Sequence, residues 1–213
     1  MKVAVKICGL KDKVNLGAAM DNGAAFAGFV FFSKSPRALT PEEAQPLIQF
    51  AGQNIKKVGL VVDASDQELE HIMRCCRLDM LQLHGQESPT RIKAVQKKFG
   101  VPIMKAVPMA RTADLLQVKE YEQIVDWLLL DAKPLPDDTR PGGNARTFDW
   151  SIVSGMTALK PWMLAGGLHL GNIQEAVQIS GAKYIDISSG VEEAGAKSPK
   201  KIKDLLLRAH RIH

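Results

Sequence analysis

The chain has 213 residues, 46% of them hydrophobic and 24% charged, which is enough to bury a core and reads as one globular domain over 1–213. Its apolar stretches fall far short of the roughly 20 residues of a membrane helix, and "MKVAVKICGL" lacks the apolar run and cleavage site of a secretory signal. The formal charge is +5, but the basic residues are scattered and aromatics make up only 6%, so a solvated basic exterior is expected rather than a nucleic-acid surface.

Eight apolar runs are predicted as strands: 3–8, 26–32, 57–63, 79–85, 101–107, 126–132, 161–167 and 183–190. Each is followed by a stretch of helical spacing. In "DQELEHIMRCCR", Leu69, Ile72, Met73 and Cys76 share one face, as do Ile173, Ala176, Val177 and Ser180 further on. Thr40-Pro41, Ser88-Pro89 and Ser198-Pro199 each set an N-cap before a first-turn proline. Thr40 with Glu43, and Ser65 with Glu68, have capping-box spacing. Gly100 and Gly181 stand where helices end. This alternation predicts an α/β fold, a compact (β/α)8 TIM barrel of eight parallel strands with outer helices. An open doubly wound sheet is the rival, but no GxGxxG opens the first helix.

Side chains two apart on a strand share a face. One face of the first strand carries Lys6 and Cys8. The fourth pairs Gln82 with His84, the sixth Leu129 with Asp131, and the eighth Asp186 with Ser188. Their neighbours are apolar and suit packing against helices, so these faces point into the barrel. Their polar members then lie near the C-terminal strand ends, where barrel active sites are built. Glycine-rich ends follow strands seven ("LAGGL") and eight ("SSGVE"), where backbone N–H groups can approach a phosphate. The segment 133–150, "KPLPDDTRPGGNARTFDW", has the length and composition of a binding loop or lid. The three cysteines form no CxxC, and no HExxH occurs. Neither a disulfide framework nor a metal site is expected, and a reducing cytoplasm suits the chain.

The pieces "KICGL", "GFVFFSKSPRAL", "LQLHGQES", "LLLDAK", "GGNARTFDW", "LAGGLHLGNIQEAV" and "YIDISSGVEEAGAKSP" run in order from residue 6 to residue 199. Together they resemble the phosphoribosylanthranilate isomerase family of tryptophan biosynthesis. The resemblance implies a (β/α)8 barrel that needs no cofactor and performs an Amadori rearrangement of N-(5′-phosphoribosyl)anthranilate. It implies Cys8 as general base, Asp131 as general acid and Arg37 as the partner of the anthranilate carboxylate. Gly166, Gly167, Ser189 and Gly190 would hold the phosphate.

The chemistry asks for these residue types. Opening the ribose ring needs an acid that holds a proton near neutral pH, and an apolar setting such as "WLLLDA" favours that. Removing the C2′ hydrogen of the Schiff base suits a thiolate. A nearby cation lowers a thiol's pKa, and Lys6 is the candidate on the same strand face. Asp186 would bond a ribose hydroxyl and His84 would line the site. The expected partner is a small anionic substrate, with no nucleic acid and no membrane, and the chain would act as a monomer or homodimer.

Two positions depart from the family pattern. The loop reads Gly142-Gly143-Asn144-Ala145 where many members have Gly-Gly-Thr-Gly or similar, and Ala145 is strained if its φ must be positive. Ser198 stands where an acidic residue is common. The rival functions are another sugar-phosphate barrel, such as an indole-glycerol-phosphate synthase or a pentose-phosphate epimerase, and a catalytically silent phosphate-binding barrel.

Overall fold

Strand-forming runs and capped helices alternate along the chain, and in the computed structural model they close on themselves. The structure describes residues 2–138 and 140–212. The strands β1 (Ala4–Cys8), β2 (Phe26–Val30), β3 (Lys56–Val61), β4 (Met80–Leu83), β5 (Ile103–Met109), β6 (Trp127–Ala132), β7 (Trp162–Leu164) and β8 (Tyr184–Ile187) form a closed barrel in sequence order. All neighbours are parallel, and β1 pairs with β8 through Lys6↔Asp186.

The helices are α1 (Lys13–Asp21), α2 (Pro41–Ala51), α3 (Asp66–Cys75), α4 (Pro89–Phe99), α5 (Leu115–Tyr121), α6 (Ile173–Ser180) and α7 (Pro199–Ala209). Thr40 and Ser65 form capping boxes, and Ser88 and Ser198 cap α4 and α7. Gly100 and Gly181 close α4 and α6 in the left-handed conformation. An antiparallel hairpin, β9 (Glu192–Glu193) and β10 (Ala196–Lys197), stands between β8 and α7.

The expected eighth helix is absent from the described residues. Between β6 and β7 the described residues form only a 3-10 turn at Trp150–Val153. Pro134, Pro136, Pro141, Gly142 and Gly143 break any helical run upstream, and Gly155 at φ 68° turns the chain away after it. Within residues 133–150 lies Ala145 at φ 56°, a conformation that costs an L-residue roughly 1–2 kcal/mol.

Apolar side chains fill two layers. The larger lies between sheet and helices; the smaller lies inside the barrel and includes Val58, Met80, Met104, Leu129 and Met163. Phe26, Trp127 and Tyr184, each the first residue of its strand, plug the N-terminal end with edge-to-face contacts of 5.6 Å and 4.8 Å about Trp127. The barrel bottom is thereby sealed, and the polar residues are left to the opposite mouth. None of the described helices is long and apolar enough to cross a membrane.

Candidate active site

One cavity opens at the C-terminal ends of the strands. Counting the space open at its mouth it measures about 680 Å³, and its walls include Cys8, Arg37, His84, Asp131, Asp186, Gly166, Gly167 and Ser189. Of the residues expected from sequence to meet substrate only Gly190 lies apart, in the adjoining depression that also includes Gly167 and Ser189.

Cys8 ends β1 and is buried with Lys6 beneath it. Gly28 of β2 faces both. A Cβ there would lie 3.0 Å from Cys8 Sγ and 3.1 Å from Lys6 Nζ, so any larger residue would crowd thiol and ammonium. Lys6 Nζ donates to Asp186 Oδ1 at 2.9 Å. Burial acts to lower the Lys6 pKa, but Asp186 and then Cys8 outweigh it and the ammonium is held charged. For the thiol the balance runs the other way. Burial pushes Cys8 up, and the lowering by Lys6 does not overcome it. Lys6 is therefore the cation expected from sequence, but the net direction is a correction: the thiol of the open site sits above its ordinary value.

Asp131, on β6, accepts from the Ala132 N–H through Oδ1 at 2.8 Å and presents Oδ2 to His84 Nε2 at 3.3 Å. The other ring nitrogen of His84, Nδ1, lies 2.8 Å from the Gln82 amide nitrogen, two residues earlier on the same strand face. The backbone after His84 is pinned from outside the barrel. Buried Glu87 accepts from the Gly85 N–H, and Lys105 Nζ donates to Glu87 at 2.9 Å and to the Gly85 carbonyl at 2.7 Å. Gly142 closes over this pair, and a Cβ on it would reach within 2.5 Å of Asp131 Oδ2.

Arg37 follows β2 and reaches across the mouth. Its Nε and Nη2 donate to Glu192 at 2.6 and 2.9 Å. Gly166 and Gly167 adopt φ 89° and 58°, open to glycine alone without strain, and pack against the backbone of Ala132 and Arg146. Gly28, Gln82, Gly142, Glu192 and Lys197 escaped the reading of site residues. Gln82 carried a signal, since it shares the strand face of His84.

A family model described as N-(5'phosphoribosyl)anthranilate (PRA) isomerase matches residues 5–208. The chain belongs to this family. As a member of the phosphoribosylanthranilate isomerase family it is 47% identical over 210 residues to the N-(5'-phosphoribosyl)anthranilate isomerase of Paramagnetospirillum magneticum, covering 98% of each chain. Its fold matches the crystal structure of phosphoribosyl anthranilate isomerase from Thermotoga maritima with a TM-score of 0.86 and 29% identity, over 97% of this chain and 98% of that one. A further phosphoribosyl anthranilate isomerase, crystallised in complex with reduced 1-(o-carboxyphenylamino)-1-deoxyribulose 5-phosphate, matches with a TM-score of 0.81 and 27% identity over the same shares.

Proposed function

We propose that this chain isomerises N-(5′-phosphoribosyl)anthranilate to 1-(2-carboxyphenylamino)-1-deoxyribulose 5-phosphate, with Cys8 as base and Asp131 as acid. The observation that carries the assignment is the wall of one cavity. It holds a buried thiol and a carboxylate, with a guanidinium at the mouth and two glycine-rich strand ends beside them. An acid, a base, a carboxylate partner and a phosphate cradle are what this substrate requires.

In this reading Asp131 protonates the ribose ring oxygen as the C1′–O bond breaks, leaving a protonated Schiff base. The Cys8 thiolate takes the C2′ proton, and its electron pair flows into the C1′–N system to give the enolamine. Protonation at C1′, with loss of the proton from the C2′ hydroxyl, then completes the ketone. His84 lines the acid side, and Asp186, with one oxygen held by Lys6, takes a ribose hydroxyl. Gly166, Gly167, Ser189 and Gly190 hold the phosphate. The chemistry runs on side chains alone, without a cofactor. We place the enzyme in the cytoplasm, acting on a small anionic substrate, with residues 1–213 as one barrel domain working as a monomer or homodimer.

The deciding experiment follows the fluorescence of freshly made phosphoribosylanthranilate on adding purified protein. Faster decay than the spontaneous rate is expected, and its absence overturns the assignment. A silent binding barrel would also fail to restore growth without tryptophan to a strain lacking the isomerase.

Two results follow for substrate binding. Arg37→Ala is expected to raise KM about 10-fold or more with a smaller effect on kcat, because a guanidinium matches a carboxylate with two parallel hydrogen bonds. An unchanged KM removes Arg37 from that role. Inorganic phosphate is expected to inhibit competitively at roughly tens of millimolar, the scale of a weakly held isolated anion. Uncompetitive or absent inhibition puts the phosphate elsewhere.

A further inference from the structure

Arg37 meets the substrate carboxylate in the reading above, yet in the structure its guanidinium already holds a carboxylate. Glu192 takes the Nε–Nη2 side of the fork, and both side chains are largely buried, 12% and 14% exposed. Arginine and glutamate alone would sum to zero charge, and a neutral pair attracts a second carboxylate weakly. A third group stands against Glu192. Lys197 Nζ donates to Glu192 Oε1 at 2.8 Å and is itself only 4% exposed. With Lys197 the cluster carries one net positive charge.

The position of Lys197 comes from the hairpin. Ala194 and Gly195 form a two-residue turn with φ 48° and 81°, positive at both positions as a type I′ turn requires. The turn sets Lys197 opposite Glu192 in the antiparallel register. The same ammonium donates to the Ser188 carbonyl at 2.8 Å, and Ser188 Oγ donates to the Cys8 carbonyl at 3.3 Å. Lys197 thus ties the end of β8 to the glutamate that holds Arg37. The Glu192 carboxyl is correspondingly held down at about 2, burial being outweighed by Arg37 and Lys197, so it stays ionised at neutral pH; burial draws Lys197 below the ordinary lysine value, and the Glu192 carboxylate opposes that loss of charge. The unengaged end of Arg37, Nη1, points at Gly143 in the cavity wall, where a Cβ would be 3.1 Å away. Glu192 occupies the Nε–Nη2 side of the guanidinium, and Nη1 makes no hydrogen bond among the described residues, which leaves its donors for a second carboxylate.

We propose that Lys197 and Glu192 are positioning residues for carboxylate recognition: Glu192 aims the Arg37 fork, and Lys197 offsets the charge that Glu192 would otherwise cancel. Neither touches substrate in this account. The inference rests on Arg37 as the partner of the anthranilate carboxylate.

The test measures dissociation constants for two ligands, the reduced 1-(o-carboxyphenylamino)-1-deoxyribulose 5-phosphate and its counterpart lacking the carboxylate, together with kcat and KM on the substrate. Lys197→Met is expected to weaken binding of the carboxylate ligand and raise KM by about tenfold, the scale of one unit charge acting at partly buried range. Binding of the carboxylate-free ligand should stay within about twofold, since no charge pair is lost there. Lys197→Arg should recover most of the loss. The double variant Glu192→Gln with Lys197→Met restores the net charge, and it should bind the carboxylate ligand more tightly than Lys197→Met alone. Equal loss for both ligands, no loss, or no recovery in the double variant each overturns the proposal while leaving the isomerase reading intact. A wild-type protein that neither binds nor turns over overturns that reading, and the inference with it.

Discussion

Cys8→Ser is expected to fold, to bind the reduced product analogue and to turn over at least about 10²-fold more slowly, because a hydroxyl is a far poorer base than a thiolate. Folding should survive because serine adds no volume beside Gly28, where a Cβ would lie 3.0 Å from Cys8 Sγ. The pH dependence carries a sign. The base works as thiolate, and burial holds its pKa above the ordinary thiol value against the pull of Lys6. kcat/KM of the wild type should therefore still be rising as pH passes neutrality, and Cys8→Ser should lack that limb. Alkylation supplies a second check. Cys75 is the more accessible thiol, while Cys76 is buried and pushed up to about 11, chiefly by burial. An alkylating agent is expected to label Cys75 without loss of activity, and to inactivate only as Cys8 is modified, more slowly when the analogue is bound. Activity that falls with Cys8 unmodified, or a Cys8→Ser variant with near-normal kcat, returns Cys8 to an ordinary core residue.

Asp131→Asn is expected to lose about 10²–10⁴-fold in kcat, the usual worth of a positioned general acid, with little change in melting temperature. The two effects separate because asparagine keeps the local contacts. Its amide oxygen can still accept from the Ala132 N–H, and its amide nitrogen can donate to His84 Nε2 once the ring carries its proton on Nδ1 and the Gln82 amide turns its oxygen there to accept it. What it cannot do is deliver an acidic proton to the ring oxygen as the ribose opens. A kcat within a few-fold of wild type would sink Asp131 as the acid. A large drop in melting temperature alongside the lost activity would make the carboxylate a structural partner of His84 instead.

Much of this was written locally. The two-residue period of a strand placed Cys8, His84, Asp131 and Asp186 on inward faces, because successive side chains must alternate and the other face was apolar. N-cap serines and threonines before proline marked helix starts, since the orphan N–H groups of the first turn need an acceptor within three residues. The eighth helix was misjudged because every strand was expected to lead into one, whereas the loop read after the sixth strand carries Pro134, Pro136, Pro141, Gly142 and Gly143, which remove donors and loosen the backbone.

Strand runs, inward faces and capped helices were thus determined by the amino-acid sequence alone, because each rests on spacings of two to four residues; the closure of β1 on β8 was decided by tertiary pairing. The protonation balance on Cys8 was decided only by tertiary structure. Lys6 sits two residues away in the chain, but how much water the closed barrel removes from the thiol depends on β2 and β8 packing around it. The grip on Arg37 was decided there too. Its partner Glu192 lies 155 residues along the chain, and Lys197 reaches Glu192 only because a two-residue turn folds the strand back. A charge acts through space, so its partners are set by where the closed barrel brings strand ends together rather than by any spacing along the chain.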